Sequence, residues 1–165
     1  MPPYRQTVLA VCAMAFVGSV ASMFAQYVLG QNPCVRCILQ RLAMMAVFLF
    51  ALPAAALPLQ RLGGRTLAAI VVSAPAALGV TLALEHIHLQ SLPPALQPPC
   101  GAPWTFRLRK WPLFDWYEPI IRGTGECGEI DYILGVPLPW WSLLFFGTTL
   151  LVLWGMWWWL RRRAA

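Results

Sequence analysis

Cys34 and Cys37, in Cys34-Val35-Arg36-Cys37, stand where one long apolar stretch ends and the next begins. Two thiols so spaced can close into a small disulfide and reopen. If Cys37 opens the following helix, the positive end of the helix dipole favours its thiolate. A second pair, Cys100 and Cys127, brackets most of the long segment from about His88 to Pro139. Alone, that pair could simply staple a loop. Beside Cys34 and Cys37, it could exchange disulfides with them through thiolate attack. Cys12 lies within an apolar run and is expected to be a small buried side chain with no redox role.

Arg41 follows Cys37 by four residues and Cys34 by seven, so a helix beginning near Cys34 carries all three on one face. A cation there can snorkel to the boundary, or it can favour the Cys37 thiolate and stabilise negative charge on a reduced acceptor. Glu85-His86 ends another apolar run. A neutral His86 can donate to a carbonyl oxygen at the depth of Arg41, or serve as a satisfied interfacial histidine, with His88 facing the loop. No metal site is expected. Ile38 after Cys37 excludes the Cys-x-x-Cys-His haem attachment, and His86 and His88 are two apart on a helix, so they do not share a face.

These groups need elements to hold them, and the composition says which kind. The 165 residues are 59% hydrophobic and only 11% charged, with a mean hydropathy of +0.64. A water-soluble domain of this length is rarely so apolar. Four stretches, near 8–29, 38–59, 66–87 and 140–160, are long enough for a hydrocarbon core about 30 Å thick, which takes roughly 20 helical residues. The expected fold is therefore an all-α membrane protein, a single domain over 1–165 built as a four-transmembrane-helix bundle. Its loops at about 30–37 and 88–139 carry the cysteine pairs.

Orientation follows from the basic residues, which are retained on the cytoplasmic side. Arg5, Arg61, Arg65, Arg161, Arg162 and Arg163 flank one set of helix ends with no acid among them. Arg36, Arg41, Arg107, Arg109, Lys110 and Arg122 share the other side with all six acids. Both termini are thus expected in the cytoplasm and both cysteine loops outside, where disulfides persist. A cleaved signal peptide is the alternative for the first span, but its apolar region exceeds the 7–15 residues of such peptides.

In the second loop, Pro93, Pro94, Pro98, Pro99 and Pro103 favour an extended chain around Cys100, either a tether that presents it to another protein or a plain linker. Farther on, Leu113, Trp116, Tyr117, Ile120 and Ile121 recur at helical spacing, with Asp115 and Glu118 off the stripe. That pattern predicts a short interfacial helix, with Pro112 in its first turn and Pro119 limiting or bending it.

Asn32-Pro33-Cys34-Val35-Arg36-Cys37-Ile38-Leu39-Gln40-Arg41 resembles the Pro-Cys-x-x-Cys-x-x-x-Arg signature of the DsbB family of bacterial disulfide bond formation proteins. The resemblance continues through Glu85-His86 with Leu89-Gln90, Cys100, Trp111-Pro112-Leu113, Gly125-Glu126-Cys127, Leu134-Gly135 and Pro139-Trp140. It implies an inner-membrane thiol:quinone oxidoreductase that reoxidises a periplasmic DsbA-like partner. On that resemblance, Cys100 receives the partner's attack, Cys127 relays the exchange, and electrons reach Cys34 and Cys37. Cys37 then faces ubiquinone or menaquinone, which Arg41 and His86 help to bind. Arg36, at a variable position, tunes potential or thiolate character.

The resting pairing stays open between Cys34–Cys37 with Cys100–Cys127 and a rearranged Cys34–Cys127 link. A vitamin K epoxide reductase-like enzyme has the reverse cysteine order. A soft-metal transporter leaves the proline-rich loop and the second pair without a use, and a purely structural four-span protein needs no exchanging pairs. No nucleic-acid partner is expected.

Overall fold

The computed structural model describes residues 3–163. Its four long helices are α1 (Pro3–Tyr27), α2 (Val35–Ala54), α3 (Leu62–Ser91) and α6 (Leu138–Arg162). Each is long and apolar enough to cross a membrane. Between α3 and α6 lie a 3-10 turn (Pro94–Leu96), α4 (Trp104–Leu108), α5 (Phe114–Ile121) and a two-stranded hairpin of β1 (Tyr132–Ile133) and β2 (Val136–Pro137). The hairpin turns on Leu134 and Gly135, both at positive φ, as a two-residue connection between antiparallel strands demands.

The bundle forms because α1, α2 and α3 carry stripes of mostly small or β-branched residues three or four apart, against which α6 sets larger ones. Tyr4, Val8, Val11 and Ala15 on α1, Ala43, Val47 and Ala51 on α2, Ala68, Val72 and Ala76 on α3, and Phe146 and Leu153 on α6 share one buried cluster. Small residues let backbones approach closely, which drives helix association where lipid is as apolar as the helix. Gly79 is the extreme case, because a β-carbon there would collide with the Phe146 ring. Phe16, Leu49, Leu78 and Leu151 point outward instead and stay exposed, the face expected of helices surrounded by hydrocarbon. At the end of α6, Arg161, Arg162 and Arg163 each stack over a ring one turn back, Trp157, Trp158 and Trp159.

The four expected spans are all present, with shifted ends. α2 begins at Val35 rather than near residue 38 because the Cys34 side chain caps it, and it stops at Ala54, just past Pro53. α3 runs about 45 Å at 1.5 Å per residue, from Leu62 to Ser91, so its last turns rise above a 30 Å core. Around Cys100 the chain is irregular from 97 to 103, as the prolines predict, yet helical turns bound it on both sides. α5 occupies the predicted stripe, but Pro112 precedes it and Leu113 takes a left-handed conformation at φ 61°.

Candidate functional site

The end of the bundle where α2 begins and α3 ends gathers all four loop cysteines. Cys34 is the N-cap of α2, and its Sγ accepts the backbone N–H of Cys37 at 3.2 Å. An orphan amide of the first turn is thereby satisfied by sulfur. Cys37 therefore lies inside the first turn instead of opening the helix, and the group facing the positive helix end is Cys34. The Cys37 Sγ stands 2.8 Å from that of Cys34. Hydrogen bonding from the Cys37 thiol, then from His86 and the Cys37 amide, outweighs burial and holds the Cys34 pKa below the ordinary thiol value. A lowered pKa means that the thiolate persists to lower pH than that of an ordinary thiol and is lost as pH falls further. With Cys100 and Cys127 replaced by Ser, iodoacetamide labelling of reduced Cys34 is expected to slow far less from pH 8 to pH 6 than that of an ordinary thiol, which slows about 100-fold.

Cys100 and Cys127 are joined as a disulfide, and the Cys34, Cys100 and Cys127 sulfurs all lie within 4.8 Å of one another. A clasp between distant segments creates this approach. Asn32 Nδ2 donates to Thr124 Oγ1 at 3.0 Å, and the Thr124 N–H donates back to Asn32 Oδ1 at 3.0 Å. Gly125 N–H donates to the Pro33 carbonyl at 3.3 Å, making a parallel bridge from Cys34 to Gly125. A β-carbon at Gly123 or Gly125 would meet the Pro33 or Asn32 carbonyl. Glycine is therefore needed at both positions for the chain bearing Cys127 to lie on the chain bearing Cys34.

His86 is 1% exposed and completes the junction from α3. Its Nε2 lies 3.2 Å from the Cys127 carbonyl and 3.8 Å from Cys34 Sγ. The Gln40 amide, which also donates to the Leu82 carbonyl, points Nε2 at His86 Nδ1, 3.2 Å away. A carbonyl can only accept and an amide N–H can only donate, so both ends demand the same tautomer, with the hydrogen on Nε2. Gln90 Nε2, already donating to the Glu129 carbonyl at 3.0 Å, is merely a neighbour of that nitrogen.

Cys37 and Arg41 face the other way, into a cavity of about 210 Å³ between α1, α2 and the start of α6, lined also by Gln31, Met44 and Trp141. Arg41 is 6% exposed and does not snorkel. Its guanidinium donates to Gln26 Oε1, to the Ser22 carbonyl at 3.3 Å and to the Ile120 carbonyl at 3.3 Å. Its Nε is buried without a partner among the described residues. Tyr27 and Gln26 donate to the Pro119 and Arg122 carbonyls, so the otherwise orphaned last carbonyls of α5 are bound by groups from α1 and α2. That anchoring holds α5, with Ile121 buried, just ahead of the clasp.

The sequence reading sets Arg41 and His86 at one depth beside one acceptor, and the structure separates them. Arg41 is one turn below Cys37 on the cavity wall, whereas His86 opposes Cys34 and is absent from that lining. Arg36 turns outward to Glu85 at 2.7 Å, an exposed pair worth little. Cys12 is buried, its Sγ against the Phe48 carbonyl. Gln26, Tyr27, Gly123 and Thr124 are site residues that the sequence reading did not name, and Asn32, Gln40 and Gly125 entered it only as parts of the family resemblance, with no role of their own. Gly123-Thr124-Gly125 just ahead of Cys127 is the local signal that points to the clasp.

A protein-family model described as "Disulfide bond formation protein DsbB" matches residues 4–156. Disulfide bond formation protein B of Neisseria gonorrhoeae is 52% identical over 149 residues, 88% of this chain and 90% of the relative. That of Neisseria meningitidis serogroup A is 50% identical over 148 residues, with the same coverage. The protein of that name from Chromohalobacter salexigens is 40% identical over 127 residues, 76% of this chain and 73% of its own length.

Proposed function

Because the chain belongs to the DsbB family of disulfide bond formation proteins, we propose that it is an inner-membrane thiol:quinone oxidoreductase that regenerates the disulfide of a periplasmic DsbA-like partner. One observation carries the reading: a row of sulfurs runs from the outer pair through Cys34 to Cys37 and stops at a largely apolar cavity holding a buried guanidinium. Both termini lie in the cytoplasm and both cysteine loops in the periplasm, an orientation supported by the one-sided arginines.

A thiolate of the reduced partner attacks Cys100, and Cys127 leaves as thiolate. The partner's second thiol then breaks the mixed disulfide, so the partner departs oxidised and the outer pair holds its two electrons. Cys127 attacks Cys34 of the closed inner pair, Cys37 leaves, and Cys100 closes on Cys127. The inner pair now carries the electrons. The His86 Nε2–H, set by Gln40, holds the Cys127 carbonyl beside Cys34, and the helix end and His86 stabilise the sulfur charge that passes there.

The cavity residues suit a quinone ring: an apolar lining, Cys37 at one wall and the unpartnered Arg41 Nε. When bound, a quinone supplies a two-electron sink above the roughly −120 mV of a DsbA-type disulfide, against which each 30 mV of unfavourable gap costs about 1.4 kcal/mol. Arg41 stabilises negative charge at that wall, and Cys37 gives up the electrons as the inner disulfide closes. His86 contributes to this acceptor only through the cysteines.

With the partner's second cysteine replaced by Ser, its remaining thiolate should displace Cys127 from the Cys100–Cys127 disulfide and stay trapped on Cys100 as a mixed disulfide resolved by electrophoresis without reductant. Failure to trap it, with the partner reduced and in excess, would refute the assignment of Cys100. Gly125→Ala, which forces the clasp open, is expected to slow electron transfer from the outer to the inner pair about 100-fold in single-turnover alkylation assays. Direct reduction of the inner pair by a small dithiol should keep its rate.

A further inference from the structure

Next to the Arg41 cavity, sharing Cys37, Asp131 and Leu138 with its lining, lies a second and very different recess. Its volume is about 10 Å³, the space of a single small ligand. Cys34, Cys37 and His86 line it, together with the acids Glu126, Glu129 and Asp131. Sγ of Cys34, Sγ of Cys37 and a ring nitrogen of His86 all lie within 4.8 Å of one another, and Cys34 and His86 are 3% and 1% exposed. Two thiols and an imidazole around an ion-sized, acid-rimmed space form a donor set for a borderline-soft cation.

We propose that, in its dithiol state, the inner pair binds one zinc-class divalent cation through Cys34, Cys37 and His86. Tetrahedral bonds of about 2.3 Å to sulfur and 2.0–2.1 Å to nitrogen place those atoms roughly 3.6 Å apart. Cys34 Sγ and His86 Nε2 are already 3.8 Å apart. The two sulfurs, at 2.8 Å, need to separate by about 1 Å for the same geometry, and Cys37 can do this by turning its side chain. The fourth position opens on the recess, to water or to one of its carboxylates. Binding displaces whatever protons the two sulfurs still hold, chiefly that of Cys37, and changes no oxidation state.

Gln40 supplies the outer support. Ligation requires the lone pair on His86 Nε2, so the ring hydrogen moves to Nδ1, and Gln40 gives up its bond to the Leu82 carbonyl and turns its amide oxygen to accept it. The same change frees the Cys127 carbonyl from His86. The closed Cys34–Cys37 disulfide offers no thiolate, so the site exists only while the pair is reduced. A cation held there withholds both sulfurs from the cavity and from Cys127. Binding itself requires only reduced thiols, whereas its effect on turnover rests on the proposed function.

The test uses the full-length chain in detergent with Cys12, Cys100 and Cys127 replaced by Ser, prepared with the inner pair reduced or closed. Cd2+ is titrated while thiolate-to-metal charge-transfer absorption is followed, and Zn2+ is then competed against it with a chromogenic chelator. The expected result is one equivalent bound by the reduced form and none by the closed form. Gln40→Leu should weaken binding about 10-fold, and His86→Ala should weaken it by at least about 10-fold, with helical content checked by circular dichroism. If either variant fails to fold, the comparison between the two redox forms decides alone. Equal binding by both forms, no binding by the reduced form, or unchanged affinity in a folded His86→Ala variant would overturn the site. Quinone-dependent thiol oxidation measured in chelator-treated buffer would survive that failure, so the two readings fall separately.

Discussion

Cys34→Ser is expected to abolish sustained partner oxidation, lowering turnover by at least about 10⁴-fold, as loss of an attacked or attacking group does in covalent catalysis. The pattern of the loss is as informative as its size. The outer disulfide, Cys100–Cys127, is still present in this variant, so one equivalent of reduced partner should be oxidised in a burst, with no quinone consumed. Cys100→Ser should show no burst at all. A Cys34→Ser protein that kept turning over would mean that electrons leave the outer pair by a route that bypasses Cys34, and the sulfur row would lose its meaning. Stopped-time acid quench followed by thiol alkylation measures both quantities.

Arg41→Met should give the second-largest effect, a fall in kcat of about 10²–10³, the loss typical when one preorganised charge at a developing anion is removed. Arg41→Lys restores the charge without the planar fork and should recover part of the rate. Arg41 also binds the carbonyls of Ser22 and Ile120, and each buried carbonyl left without a donor costs about 1–3 kcal/mol, so anchoring and charge must be separated. Tyr27→Phe removes one α5 anchor, the bond to the Pro119 carbonyl, and leaves the cation in place. It is expected to slow exchange between the pairs only several-fold, with quinone reduction by a prereduced inner pair unchanged. Equal losses in Arg41→Met and Tyr27→Phe would make Arg41 an anchor and nothing more.

The features readable in the sequence are those with local physical signatures. Four apolar runs, one-sided arginines and the Cys34/Cys37 spacing are properties of contiguous segments, and the helix bundle follows from them. The stripe from Leu113 to Ile121 likewise appears as α5. The side of the junction that each polar group faces could not be read in this way. Asn32 and Thr124, 92 residues apart, meet only because α5 is held down by Gln26, Tyr27 and Arg41. The separation of His86 from Arg41 depends on how α3 is rotated against α2, which the Gln40–His86 contact records and hydropathy does not. Cys34 rather than Cys37 takes the helix end for a similar reason. Moving the start of α2 by three residues leaves its apolar run unchanged, yet it exchanges the roles of the two thiols at the cap.

Coupling between thiols and quinone tests the central claim most directly. The purified chain is mixed with a reduced DsbA-like protein and a soluble ubiquinone analogue, and quinone absorbance and partner thiols are followed together. One quinone reduced for each disulfide formed, with partner oxidation in the absence of quinone stopping at the two equivalents that the two disulfides themselves take up, is the predicted result. Continued partner oxidation at an unchanged rate without quinone, or quinone reduction that leaves the partner's thiols intact, would contradict it.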